Sequence, residues 1–386
     1  MLSAPRPTNG SDGLRAQGLS QILTTVHRGG PLSRAELTRR SGFNRSTVGS
    51  LVQSLTEKNL VLEAEPAVEG RVGRPSPIVR ANHDIAVISV NPDIDALTVG
   101  VVGLGGHVHR RIRRETRGIP SVDDAVALTR DVVDELEPVL ARLHGVLGVG
   151  IALPGLVNPR TGRVLLAPHL GWRDADLTEP FGEALGLPAV AANDAFLGSL
   201  AESIFGAALG VSDALYLNGS ASGIGGGVIT GGVQLVGSRG YGGELGHTLV
   251  RPGGAACHCG RSGCLDAEVR LEGLLDAAGV DVGGIEALEQ VLEDHPGAAV
   301  RAEVDRQLEL LTSALVDFTN IFDPRLIVLG GFLGVLTGSR EGRLSDAVNA
   351  RSLAGGVEVR RARLGPELLL IGAAELAFRP LLDSPS

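Results

Sequence analysis

Three cysteines are the whole complement of this 386-residue chain, and all of them fall between Cys257 and Cys264. Disulfide scaffolds spread an even number of cysteines along their length, so this crowding points to a metal. With His247 upstream, the run Cys257-His258-Cys259-Gly260 and then Cys264 offers three thiolates and an imidazole, a complete tetrahedral set for Zn2+. Four protein ligands leave no open position, so zinc is expected to be structural. His258 is a rival ligand. Neighbouring residues of a Cys-x-Cys turn rarely both face one ion, however, which favours His247. Inert buried thiols are the alternative.

Two further groups have chemistry to offer. Asn193-Asp194 follows a short apolar run, where a carboxylate can take a proton from a hydroxyl while the amide orients it. An Asx cap starting a helix at Ala195 explains the same pair equally well. Glu244 precedes His247 by three residues and Asp266 follows Cys264 by two, so a metal loop would hold both acids near one another. Carboxylates and amides around a small pocket suit a polyol, each accepting from or bridging neighbouring hydroxyls.

The elements that must position these groups alternate strand and helix. Ile85–Val90, Ala96–Val102 and Val108–Arg114 read as strands, and Val122–Leu143 as an amphipathic helix. Leu147–Ala152 is a buried strand ending at Pro154-Gly155, and Ala189–Ala192 another ending at Asn193. A helix is expected over Ala195–Phe205, then strands at Ala214–Leu217 and Ile224–Ile229, a helix at Leu308–Phe322 and a strand at Leu326–Leu329. This is an α/β pattern with active loops at the carboxyl ends of strands. Its restart near residue 214 suggests two similar halves and a cleft between them.

The first 80 residues read differently. Leu14, Leu19, Ile22, Leu23 and Val26 share one helical face, and Gly29-Gly30-Pro31 ends that helix. Ser33 with Glu36 forms a capping box for a second helix, and Asn44 can cap a third over Arg45–Lys58. Two helices joined by a tight Gly-bearing turn match a helix–turn–helix. The third offers Arg45, Ser46, Thr47, Ser50 and Gln53 outward, short or bidentate groups suited to phosphates and base edges. Ser33, Arg34 and Asn44, at the helix starts beside them, are expected to bind DNA with them. A strand after Asn59 and another at Ile78–Arg80 flank Gly70-Arg71-Val72-Gly73-Arg74, a wing whose Arg71 and Arg74 fit a minor groove. A solvated hinge loop is the plainer reading of the same segment.

Charge supports this division. Residues 14–80 carry ten Lys and Arg against five Asp and Glu, whereas 81–386 carry 24 against 38, within a net charge of −9. A basic head on an acidic body leaves only the head to meet phosphate. Expected domains are therefore a flexible lead-in over 1–13, a winged helix–turn–helix over 14–80 and an effector body over 81–386. No run of about 18 apolar residues exists and the amino terminus lacks a signal-peptide core, so a cytoplasmic protein with no membrane partner is expected.

Gly243-Glu244-Leu245-Gly246-His247 followed by Cys257-x-Cys259-Gly260-x-x-Gly263-Cys264-Leu265-Asp266 resembles the signature of the ROK family of repressors, open reading frames and sugar kinases. Pro154-Gly155, Pro168-x-x-Gly171-Trp172, Asn193-Asp194-Ala195 and Leu329-Gly330-Gly331 follow the family's order. Ser33-Arg34-Ala35-Glu36-Leu37 and Gly73-Arg74-Pro75 are similar to its repressor branch. The resemblance implies a two-lobed actin-like, hexokinase-like (ROK) ATPase fold with a zinc loop. It implies a sugar site of Gly155, Asn193, Asp194, Glu244, His247 and Asp266, and metal ligands His247, Cys257, Cys259 and Cys264. In kinase members Asp194 would be the general base.

Two departures matter. The family's last acid is usually Glu, and Asp266 is one methylene shorter. Kinase members carry an Asp-x-Gly-Gly-Thr phosphate turn where this chain has Val90-Asn91-Pro92-Asp93-Ile94-Asp95. Pro92 removes an amide donor, and Asp93 and Asp95 would repel phosphate. The second glycine loop, Ser222-Gly223-Ile224-Gly225-Gly226-Gly227, survives, although tight packing accounts for glycines as well as phosphate does.

The expectation is a regulator, most simply a repressor of carbohydrate genes. It would be a homodimer or dimer of dimers on double-stranded operator DNA, responding to a sugar or sugar derivative and lacking phosphotransfer. Alternatives are an active sugar kinase that also binds DNA, and a regulator controlled by a partner protein without any sugar.

Overall fold

The computed structural model describes residues 11–65, 76–280, 285–293, 297–338 and 341–385. The head opens with α1 (Ser11–Gly29), which begins earlier than its apolar pattern required and buries Leu19, Ile22, Leu23 and Val26. Strand β1 (Leu32–Ser33), α2 (Arg34–Ser41), α3 (Arg45–Glu57), β2 (Val61–Ala64) and β3 (Ile78–Ala81) follow. Ser33 Oγ accepts from the Glu36 N–H at 3.1 Å, capping α2. The expected capping box is only half formed, because Glu36 turns its carboxylate to Arg39 and Arg40. Asn44 Oδ1 accepts from the Thr47 N–H at 2.9 Å and starts α3. Strands β1, β3 and β2 make a small antiparallel sheet in that order, the wing's base. The wing tip with Arg71 and Arg74 lies outside the described residues.

The body repeats one plan twice. Its first lobe comprises β4 (Ile85–Pro92), β5 (Ala96–Gly103), β6 (His107–Glu115), α4 (Val122–Leu140), β7 (Gly145–Leu153), α5 (Thr178–Leu185), β11 (Ala189–Asn193) and α6 (Asp194–Phe205). Between β7 and α5 a small three-stranded sheet is inserted, β8 (Leu156–Val157), β9 (Val164–Ala167) and β10 (Trp172–Ala175). The second lobe has β12 (Ala214–Ser220), β13 (Gly223–Thr230), β14 (Val233–Gln234), α7 (Leu265–Glu268), α8 (Leu271–Ala278), α9 (Ile285–Glu293), α10 (Ala298–Phe322), β15 (Leu326–Gly330), α11 (Gly331–Thr337), α12 (Glu341–Arg351) and β16 (Glu358–Arg361). The first sheet runs β11-β7-β4-β5-β6 and the second β14-β13-β12-β15-β16. Read from opposite ends they are the same topology, with a central strand antiparallel to its hairpin partner and parallel to the strand on its other side.

The last helix, α13 (Leu368–Asp383), crosses back from the second half to lie on β4, β7 and α6 of the first lobe. It also reaches the head. One apolar core joins Leu23 and Val26 of α1 to Val87, Phe378 and Leu382 of the body.

Glu202 secures the return of the chain toward α13. Its side chain is fully buried, with Oε1 accepting from the Arg363 and Leu364 N–H groups at 2.9 Å each and Oε2 from Ala207 N–H. Glu202→Ala leaves three partly buried N–H groups without their acceptor and opens a cavity. The variant is expected to lose about 3–5 kcal/mol, read as a lowered urea midpoint. A loss below 1 kcal/mol would show that water replaces the carboxylate.

Candidate effector site and DNA interface

The cleft between the lobes contains a cavity of about 310 Å³. Its lining includes all six residues expected for a sugar site: Gly155, Asn193, Asp194, Glu244, His247 and Asp266. The parallel strands β7 and β11 deliver the first three at their carboxyl ends. A 3₁₀ turn over Leu245–His247 and helix α7 deliver the others.

Asn193 is committed within the protein. Its Oδ1 accepts from the Phe196 N–H at 2.9 Å, capping α6, and its Nδ2 donates to the Gly155 carbonyl at 3.0 Å. The capping interpretation of this residue is therefore realised, and Asn193 shapes the wall by fixing both Gly155 and α6. Asp194 accepts from the Ala195 N–H at 2.7 Å and is buried. Burial, together with the charges of Asp93 and then Glu244, pushes its carboxyl up to about 7. Glu244 is raised for the same reason, burial first and Asp266 second.

Linkage gives the sign of the consequence. Between the ordinary 3.8 and about 7, native Asp194 holds a proton that the unfolded chain has released, so its contribution to stability falls as pH rises. Asp194→Asn is expected to be more stable than the parent at pH 7.5, with the gap narrowing toward pH 4.5. Urea midpoints at the two pH values check this, and a pH-independent gap would refute it.

Asp266 has protein partners at both of its oxygens. Its Oδ1 accepts from the Ile224 N–H at 2.7 Å, and its Oδ2 lies 3.4 Å from His258 Nδ1. The second glycine loop is explained by this packing. A β-carbon on Gly223, at φ +118°, would overlap Asp266 Oδ1, and one on Gly225 would press on Ala195.

The turn at Asn91–Asp95 is ordered by strand pairing. Pro92 pairs with Leu97 inside the hairpin, and Asp93 N–H donates to the Ala96 carbonyl at 2.8 Å. Asp95 turns outward to Arg113 at 2.6 Å. Asp93 is buried beside Ser222 and close enough to Asp194 to act on its charge, and burial raises its own carboxyl to about 6, whereas Asp95 lines the cleft.

The donors His247, Cys257, Cys259 and Cys264 lie within 4.8 Å of one another. Cys257 Sγ is 3.5 Å from His247 Nδ1, and Cys259 Sγ is 3.7 Å from Cys264 Sγ. Ligands at the corners of a tetrahedron with zinc–sulfur arms stand about 3.8 Å apart, so the donor set fits that ion. A second set, His247, Cys257, His258 and Asp266, meets the same limit. His247 Nε2 points the other way, 3.9 Å from Glu244. One imidazole therefore joins the cysteine cluster to the cavity.

His169 and His258 were not expected in the cavity wall. Their rings meet edge-on at 4.8 Å. His169 lies inside the Pro168-x-x-Gly171-Trp172 segment, which marked a loop at the site but gave no sign of which side chain faced inward.

On the head, α3 leaves Arg45, Ser46, Ser50 and Gln53 exposed and Thr47 half-buried, while Val48, Leu51, Val52 and Leu55 face inward. Arg45 has no partner among the described residues. Arg34 instead clasps Glu63 of β2 with two bonds of 2.6 Å, and Gln53 donates to Glu57 at 2.9 Å.

The family model described as "ROK family" matches residues 95–379, roughly three quarters of the sequence. The chain belongs to the ROK family. A xylose repressor of Caldicellulosiruptor bescii is 26% identical, over 94% of this chain and 96% of its own. A ROK family transcriptional regulator, a homologue of the E. coli Mlc protein, aligns with a TM-score of 0.75 at 25% identity, over 96% of this ROK chain and 97% of its own. A ROK hexokinase from Thermus thermophilus aligns with a TM-score of 0.61 at 31% identity, over 78% of this chain and 100% of its own. No helix among the described residues of this ROK protein is long and apolar enough to cross a membrane.

Proposed function

We propose that the chain is a sugar-responsive transcription repressor that binds operator DNA through its head and has given up phosphotransfer. The observation that carries this is the head itself. Helix α3 presents an exposed face of Arg45, Ser46 and Ser50 on a winged unit, and the share of chain that the hexokinase leaves unmatched is about that unit's size. The similarity to a xylose repressor and a ROK regulator along nearly the whole chain supports the same reading. So does the gathering of hydroxyl-binding groups in the cleft, where a sugar would bind and shift the head by its differential affinity for two arrangements. A twofold operator would seat two heads, as a homodimer or dimer of dimers requires.

His247, Cys257, Cys259 and Cys264 would hold zinc. The ion would be structural, neutralising thiolates and fixing the imidazole that borders the cavity. Of these thiols, Cys257 is held up to about 12, by burial first, and Cys259 lies at about 7, beside the Arg261 N–H.

The test is an operator selected from random DNA and titrated by fluorescence anisotropy with and without sugars. Tight, salt-sensitive binding that D-xylose, D-glucose or another pentose, hexose or amino sugar weakens ten-fold or more supports the proposal. Sequence-indifferent binding overturns it. A thermal-shift panel separates sugar control from control by a protein partner, because a ligand at 100 times its Kd adds roughly 2.7 kcal/mol. Asp194 favours a kinase reading, but Asp93 stands against it. No ADP release above the Asp194→Asn background is expected with any of these sugars, and clear turnover would restore the kinase.

A further inference from the structure

The last full turn of α1 carries His27, which is completely buried between the β5–β6 turn and α13. Both ring nitrogens are engaged. Gly105 N–H donates to Nδ1 at 2.8 Å, so that nitrogen bears the lone pair and Nε2 bears the hydrogen. Nε2 donates in turn to Oε1 of Glu375, at 2.7 Å, on a carboxylate that is 5% exposed. Phe205 at the end of α6 and Phe378 of α13 close on the ring edge-to-face at 5.6 and 5.9 Å. Ser20 Oγ adds a second attachment, donating to the Leu382 carbonyl at 2.6 Å.

Helix α13 also presses on the elements that build the cleft. A β-carbon on Gly372 would overlap the Leu197 carbonyl of α6, and one on Gly150 would overlap the Ala373 carbonyl. Ser89 Oγ of β4 donates to the Leu370 carbonyl at 2.8 Å. Backbone packed this closely leaves no slack, so displacement of one element is passed to the next. Helix α6 starts at Asp194 with Asn193 as its cap, and both line the cavity. A shift at that end of α6 therefore reaches α13, and through Glu375 it reaches the head.

We propose that the His27–Glu375 bond, with Gly105, is the joint through which occupancy of the cleft sets the position of the DNA-binding head. The proposal rests on the sugar-responsive reading above. An apolar contact tolerates sliding, whereas a buried directional bond is made or broken, and breaking it strands a carboxylate away from water. That gives the junction two discrete states that a ligand can bias.

The variant His27→Phe/Glu375→Leu keeps the bulk of both side chains and leaves no lone buried charge. Operator affinity without sugar, and sugar affinity without DNA, are expected to stay within three-fold of wild type. The factor by which D-xylose or D-glucose weakens operator binding is expected to fall from its wild-type value to below two. A variant that keeps the wild-type factor overturns the joint. Wild-type protein that ignores every sugar instead refutes the reading of the cleft. Amide exchange on sugar-free protein then decides the joint alone: exchange at Gly105 and the last turn of α1 should speed ten-fold or more in the variant, with α3 unchanged. No change at either place overturns the joint whatever the sugars do.

Discussion

Cys264→Ala is expected to cost the protein its metal and its sugar affinity together. Cys264 is fully buried at the start of α7, two residues before Asp266, and its Sγ lies 3.7 Å from that of Cys259. Removing one of four donors leaves three crowded groups that repel once two are thiolates. Backbone bonds also tie the loop from Leu249 to Cys264, among them Cys257 N–H to the Arg261 carbonyl and Gly263 N–H to the Ala255 carbonyl, both at 2.8 Å, but none of them replaces a ligand at the cluster itself. Loss of a structural ion belongs to the small class of changes worth about 4 kcal/mol or more. The sugar effect follows from His247, whose Nδ1 faces Cys257 and whose Nε2 faces Glu244. Without the ion only the weaker contacts with Cys257, His258 and Glu244 would hold that ring. Metal content by a chromophoric chelator and sugar affinity by calorimetry, measured on the same sample, check the claim. Full sugar affinity in metal-free protein would separate the two sites and sink it.

Arg45→Ala is expected to weaken operator binding by about 1–3 kcal/mol, roughly five- to 160-fold, without changing sugar affinity. Arg45 is the first residue of α3, exposed and unpartnered among the described residues, where the helix's free N–H groups also attract phosphate. The salt dependence tells the two modes of contact apart. A phosphate contact lowers the slope of log affinity against log salt by about one, whereas a base contact relaxes preference at one operator position. Arg34→Ala is the control. Its guanidinium already holds Glu63, so its loss should act through β2 and the wing and leave that slope nearly unchanged. Equal effects of the two variants would mean that α3 does not face DNA.

Much of this arrangement was legible because local rules dominate where it was read. Caps at Ser33 and Asn44, the hairpin at Gly103–Gly106 and the strand runs of both lobes are decided by neighbours within a few residues. Gly155, Asn193 and Asp194 were legible at strand ends, whereas Glu244, His247 and Asp266 were reached through the loop motif and its family resemblance. What escaped has long-range causes. Helix α13 is apolar on almost every side, a pattern set by burial against two different partners rather than by one face. The inserted sheet of β8, β9 and β10 has strands of two to four residues, too short for alternation to register. Asp266 and His258 pair across a turn that spacing alone does not orient, and Arg34 meets Glu63 only once β2 folds beside α2.

The crossing of α13 also has a consequence in time. Ser20 and Leu382 are bonded across 362 residues of chain, and His27 and Glu375 across 348. At synthesis rates of about 5–20 residues per second, the head precedes its clasp by roughly 20–70 s. During that interval the head has been made but lacks the helix that later clasps it. A chain cut short before Leu368 never gains the clasp, and it also lacks the helix that packs on β4, β7 and α6.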